Sequence, residues 1–150
     1  MAGIYDRRYD SPRGKAYHGH ISWRVMERLP RGVSLLDLGC GTGLFIQRYT
    51  AEGGTAVGLD ISGGMVEMAR RRCPASDFVV GTAEVLPFRE GQFDAVASLL
   101  AFSYLSRPDR MLRETYRVLR PGGSVAICTL GSSLLTLVLV PAVYRLGELL

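Results

Sequence analysis

Nine residues set the chemical question: Leu-Leu-Asp-Leu-Gly-Cys-Gly-Thr-Gly, from Leu35 to Gly43. An apolar run carries an acid, Asp37, and then glycine recurs at Gly39, Gly41 and Gly43. Glycine turns sharply and lets a ligand approach the main chain. A helix opening on such a loop presents free N–H groups to an anion. A phosphate or a carboxylate fits that description, and so does a bare strand-to-helix turn.

Spacing narrows the choice. A dinucleotide loop needs G-x-G-x-x-G. Gly39 and Gly41 match its first two glycines, but the sixth position is Leu44. Asp37 also repels a pyrophosphate. It suits a ligand with a cation beside its carboxylate, and S-adenosylmethionine has that pattern. Asp60 stands 21 residues after Gly39. A carboxylate there accepts both hydroxyls of a ribose, which nicotinamide dinucleotides and S-adenosylmethionine share. Its other reading is an acid at the start of a helix.

These residues need elements to hold them. Helical character runs over 16–29, 43–52, 62–72 (which Ser62 caps) and from a start near Ser106 to Leu119. Ser106, Pro108 and Asp109 read as the cap, first turn and capping-box acid of that last helix. Strand-like runs fall at 33–38, 55–60, 77–80, 93–99 and 124–130, with Arg120-Pro121-Gly122-Gly123 as the turn into the fifth. Alternating strands and helices predict a doubly wound α/β sheet, with ligands at the carboxyl ends of its strands. The expected single domain has a helical cap at 1–31, a core at 32–131 and an apolar helix at 132–150.

Composition agrees with one globular domain of 150 residues. Cys40, Cys73 and Cys128 form no C-x-x-C pair, and we read them as reduced thiols in a cytoplasmic protein, not as a disulfide frame or metal site. The opening residues are too polar for a signal peptide. The net charge is +4. The arginines at Arg70, Arg71 and Arg72 read as a solvated helix face rather than a nucleic-acid patch, since no aromatic interleaving accompanies them. No charged residue lies between Arg120 and Arg145. Glycine, serine and proline interrupt that stretch, so we read it as a strand and a helix and not as a membrane span; peripheral contact with a membrane or lipid stays compatible.

LLDLGCGTG, VGLDIS (57–62), GTAEVLPF (81–88), FDAVASLLAFSYL (93–105) and LRPGGSVAI (119–127), in this order, resemble the class I S-adenosylmethionine-dependent methyltransferases. The likeness is to the methyltransferase type 11 branch, with the ubiquinone and menaquinone biosynthesis enzymes, and covers residues 33–130. It implies a Rossmann-like, mostly parallel sheet of order 3-2-1-4-5. The chain stops before the family's usual final β-hairpin, which leaves strand 124–130 as an edge open to an oligomer contact or a partner.

The resemblance also implies roles. Gly39, Cys40, Gly41 and Gly43 pack along the methionine part of S-adenosylmethionine, and Asp37 helps place its ammonium. Asp60 holds the ribose and Ile61 packs on the adenine. Thr82 and Ala83 belong to the segment closing over the adenine edge; many relatives carry an Asp where Thr82 stands. Leu99 sits near the methyl donor. The implied activity is methyl transfer to a small acceptor, which the apolar run Leu134–Val143 suggests is lipophilic. The alternatives are a catalytically silent or truncated S-adenosylmethionine-binding module acting through a partner, and a nicotinamide-dependent reductase. Tyr5, Tyr9, Tyr17, His18 and His20 are the nearest candidates for a general base, and packing or exposed-turn roles suit each better. Trp23 and Met26 read as packing, Leu86-Pro87-Phe88 as core and turn.

Overall fold

A computed structural model describes residues 11–130 and 135–141. Helix α1 (Pro12–Met26) starts where the Ser11 side chain accepts from Gly14 N at 3.0 Å and Pro12 takes the first turn. That cap places the start upstream of the expected 16–29. There follow β1 (Ser34–Leu38), α2 (Leu44–Ala51), β2 (Thr55–Asp60), α3 (Gly63–Arg72) and β3 (Asp77–Val80). Then come β4 (Phe93–Leu99), a 3-10 turn (Phe102–Tyr104), α4 (Pro108–Val118), β5 (Leu119–Leu130) and β6 (Leu135–Pro141).

The strands make one sheet of order β3-β2-β1-β4-β5-β6. The first five run parallel, in the 3-2-1-4-5 order expected of a Rossmann-like chain. Alternation along each strand feeds two cores. Leu35, Ala95, Ala97 and Ala126 join Ile21 and Val25 of α1, Ile46 of α2 and Val66 of α3. Leu36, Leu38, Val125 and Ile127 join Met111 and Val118 of α4. A register shift between Phe93 and Ala95 brings Phe93 onto the same core as Val96.

β6 overturns part of the expectation. The sequence reading places 135–141 in an apolar helix and leaves 124–130 as a bare edge. Instead, Leu135–Pro141 pairs antiparallel with β5, from Leu130↔Leu135 to Ser124↔Pro141. Thr136, Val138 and Val140 are β-branched, which weakens a helix and suits a pleated surface. The β5 edge is thus filled from within the chain, and the oligomer contact expected there loses its basis. The rest of the expected helix, 131–134 and 142–150, lies outside the described residues.

The expected cap of α4 is also corrected. Arg107, not Ser106, is the N-cap, and its side chain makes no cap hydrogen bond. Asp109 instead receives the Arg107 guanidinium at 3.1 and 3.2 Å. The Arg107 main-chain N–H donates to Glu84 Oε1 at 2.8 Å.

Candidate functional site

The glycine loop joins β1 to α2 at the carboxyl end of the sheet. Gly39, Gly41 and Gly43 have φ of +74°, +54° and +81°, a region most side chains avoid. Gly39 N and Cys40 N both donate to Leu59 O, at 2.8 and 3.0 Å. Gly41 N donates to Asp60 Oδ2 and Ser62 N to Asp60 Oδ1, each at 2.9 Å. Asp60 therefore lashes the loop to the end of β2 and orders the entry to α3, where the Ser62 side chain accepts from Met65 N.

Asp37 lies between Gly58 and Ala97 on the neighbouring strands. It is 2 % exposed, and its Oδ1 has no hydrogen-bond partner among the described residues. Burial, with the Asp60 charge as a smaller cause, pushes its carboxyl up to about 8. An isolated buried carboxylate costs several kcal/mol, so the group holds its proton until a cation comes near.

Above the loop opens a cavity of about 860 Å³. Gly39, Gly41, Asp60, Ile61, Thr82, Ala83 and Leu99 line it. The other three expected site residues do not. Asp37 lies beneath it. Cys40 is buried, its Sγ donating weakly to Gly41 O, and burial pushes its thiol far up. A Cβ on Gly43 would stand 3.2 Å from Ala69 Cβ, so this glycine lets α3 pack close. Thr82 Oγ1 already accepts from Glu84 N at 3.2 Å, which occupies one of its acceptor sites.

Sequence reasoning missed several walls. Arg13 and Gly14 of α1 line one side, with Tyr17 (43 % exposed), while Leu100, Ala101, Tyr104, Leu105 and Ser106 line another. Leu100 has φ +64°, and its N donates to Cys128 O at 2.7 Å. It is the one non-glycine residue with positive φ among the described residues, and no sequence signal marks it. Glu114 and Arg117 of α4 grip the Leu86–Phe88 turn: Leu86 N donates to Glu114 Oε2, and Arg117 donates to Leu86 O and Phe88 O. Arg117 thus clamps that turn to α4.

Of the N-terminal candidates, Tyr5 and Tyr9 lie outside the described residues. His18 is buried within α1, contrary to the exposed turn expected; its Nδ1 accepts from Arg48 Nη1, and burial followed by Arg48 pushes it down to about 4. His20 is exposed beside Trp23. Trp23 is itself 54 % exposed, and with Met26 it lines a separate crevice of about 200 Å³. Arg72 donates to Thr42 O and Oγ1, bracing the glycine loop, and Arg70 donates to Phe78 O of β3, so this pair does not form a freely solvated face. No described helix is long and apolar enough to cross a membrane.

A family model described as a methyltransferase domain matches residues 36–127. The chain is 41 % identical over 109 residues to the malonyl-[acyl-carrier protein] O-methyltransferase of Erwinia pyrifoliae, covering 71 % of this chain and 42 % of that protein. It is 38 % identical over 96 residues to the demethylmenaquinone methyltransferase of Renibacterium salmoninarum, covering 64 % and 40 %. The chain thus spans about two fifths of the length of these curated relatives. A solved SAM-dependent methyltransferase from Thermotoga maritima superposes with a TM-score of 0.72 at 27 % identity, covering 85 % of this chain and 57 % of that one.

Proposed function

This chain belongs to the methyltransferase domain family, and on that premise we propose that it binds S-adenosylmethionine and passes the methyl group to a small acceptor. The observation that carries the reading is Asp37: a buried acid with an unpartnered oxygen, directly beneath a glycine loop that borders the large cavity. An ammonium supplies the missing charge and the missing hydrogen bond at once. The carboxylate beside that ammonium suits the exposed main chain of the loop.

The remaining residues take their roles from the same placement. Each Asp60 oxygen holds one main-chain N–H and keeps a further acceptor site, enough for two ribose hydroxyls. The family likeness supports Ile61, Thr82 and Ala83 for the adenine end and Leu99 for the methyl end, and all four line the cavity. Gly39 and Gly41 leave the floor bare, whereas Cys40 and Gly43 act through packing.

S-adenosylmethionine supplies a methyl group already activated on a sulfonium. What the chain must add is alignment and exclusion of water. Leu99, Leu100, Leu105 and Met111 make the wall near Leu99 apolar, which supports a lipophilic acceptor. Two relatives are named for malonyl-[acyl-carrier protein] and demethylmenaquinone, and we take a small reacting group from those names. Three buried free cysteines support a reducing compartment such as the cytoplasm.

Calorimetric titration with S-adenosylmethionine and with NADH tests the reading. Heat of binding is expected for the first alone. NADH binding without S-adenosylmethionine binding overturns it, and turnover on polar water-soluble acceptors alone removes the lipophilic choice.

A further inference from the structure

Two walls of the cavity come from strands that do not touch. Gly81–Glu84 follow β3, and Leu99–Ser106 follow β4, while β2 and β1 lie between them. Strand spacing alone separates their roots by about 14 Å. No ladder of the sheet fixes one wall against the other. At the cavity the two segments are joined by the hydrogen bond from Arg107 N, just past Ser106, to Glu84 Oε1 at 2.8 Å.

We propose that Glu84 is a positioning residue: its carboxylate, by holding Arg107 N, sets the distance between the Thr82–Ala83 wall and the Tyr104–Ser106 wall. Three features support the assignment. Glu84 itself lines the cavity, so the bond is made at the rim where both walls meet. Its backbone is fixed in turn, since Glu84 N donates to Thr82 Oγ1 at 3.2 Å. The side chain of Arg107, the N-cap of α4, makes no cap hydrogen bond, and its guanidinium is committed to Asp109. The distant carboxylate thus takes the part expected of Asp109, the acid that accepts from the main-chain N–H of the N-cap residue. Farther along the same segment, Glu114 and Arg117 hold Leu86 and Phe88 to α4, so the chain around Glu84 is anchored behind the contact as well. For the identity of the ligand, the proposal rests on the methyltransferase reading above.

Amide hydrogen exchange on the ligand-free chain tests it with three variants. Glu84→Gln keeps an acceptor at the same reach, Glu84→Asp keeps the charge but is one methylene short, and Glu84→Ala keeps neither. Exchange across Tyr104–Arg107 is expected to quicken about tenfold in Glu84→Ala and Glu84→Asp, the size of one charge-assisted hydrogen bond, and to stay within about threefold of the parent in Glu84→Gln. Exchange in β1 and β4 is expected not to move. Parent-like exchange at 104–107 in Glu84→Ala overturns the proposal. So does a uniform rise over the whole chain, or failure of Glu84→Gln to rescue. If Glu84→Ala does not fold, Glu84→Asp against Glu84→Gln decides in the same way. A second arm adds S-adenosylmethionine, which is expected to protect 104–107 in the parent and in Glu84→Gln, while Glu84→Ala binds about tenfold more weakly and loses that protection. A parent that does not bind S-adenosylmethionine sinks the methyltransferase reading, while the ligand-free arm still decides the role of Glu84.

Discussion

Gly41 donates its main-chain N–H to Asp60 Oδ2 at 2.9 Å, so the acid assigned to the ribose is also a strut of the glycine loop. Replacing it removes two things at once. Asp60→Ala is expected to lower the melting temperature and to weaken S-adenosylmethionine binding about tenfold or more. Asp60→Asn retains one acceptor oxygen and is expected to fall between Ala and parent in both measurements. Parent-like affinity in Asp60→Ala removes the ribose role; a parent-like melting temperature removes the strut.

Gly39 meets Ala101 in the same loop. A Cβ at Gly39 would stand 2.3 Å from Ala101 Cβ, and φ there is +74°. Alanine has no rotamer to turn away. Gly39→Ala is expected to cost about 2 to 4 kcal/mol, from strain and overlap together. Adding Ala101→Gly relieves only the overlap, so the double variant should recover part of the loss in urea unfolding. Full additivity of the two changes counts against the contact.

Asp37 predicts a pH dependence of definite sign. Its folded value of about 8 lies above the 3.8 of an ordinary Asp. Between those values the folded chain holds a proton that the unfolded chain has released. This contribution to stability is therefore complete at low pH and lost as pH rises through the window, by at most about 1.4 kcal/mol per pH unit. Asp37→Asn is expected to flatten that slope and to weaken S-adenosylmethionine binding. Because an ammonium favours the ionised acid, binding at about pH 7 should release a proton, read as a calorimetric heat that changes with the ionisation enthalpy of the buffer. A buffer-independent heat contradicts the pairing.

His18 acts in the opposite direction. Its folded value of about 4 lies below the ordinary 6.5, because the ring is buried and faces the Arg48 guanidinium. The stability it contributes is present above 6.5 and lost as pH falls toward 4. His18→Gln is expected to be less acid-sensitive than the parent in that range. Since Asp37 works against it over the same interval, each effect is read as variant minus parent. Equal acid sensitivity of variant and parent eliminates the role of His18.

The parallel sheet and the cavity floor were legible because each rests on local patterning. Apolar runs of four to seven residues mark β1 to β4, the first three ended by Gly or Asp. Asp60 and the odd-numbered glycines mark the loop. What sequence could not carry was contact at long range. Glu84 reaches Arg107 across 23 positions, and nothing local to Arg107 announces that an acid so far away holds its main-chain N–H. Leu100 adopts a left-handed conformation that its own type disfavours, so only the packing around β4 and β5 places it there. Residues 135–141 misled for another reason: an apolar run of that length fits helix and strand periods alike, and β5 as a template decides between them.

The order of the sheet also bears on how fast the site is made and lost. The glycine loop lies beside the seam between β1 and β4, where Leu35 pairs with Ala95 across 60 positions of chain. Such a distant pairing is slow to close, because the intervening β2-α3-β3 segment must be ordered before the contact gives any return. The cavity exists only once that seam is shut, so a ligand finds nothing to hold in a partly folded chain. Ligand stabilisation should then slow unfolding and leave the folding rate almost untouched.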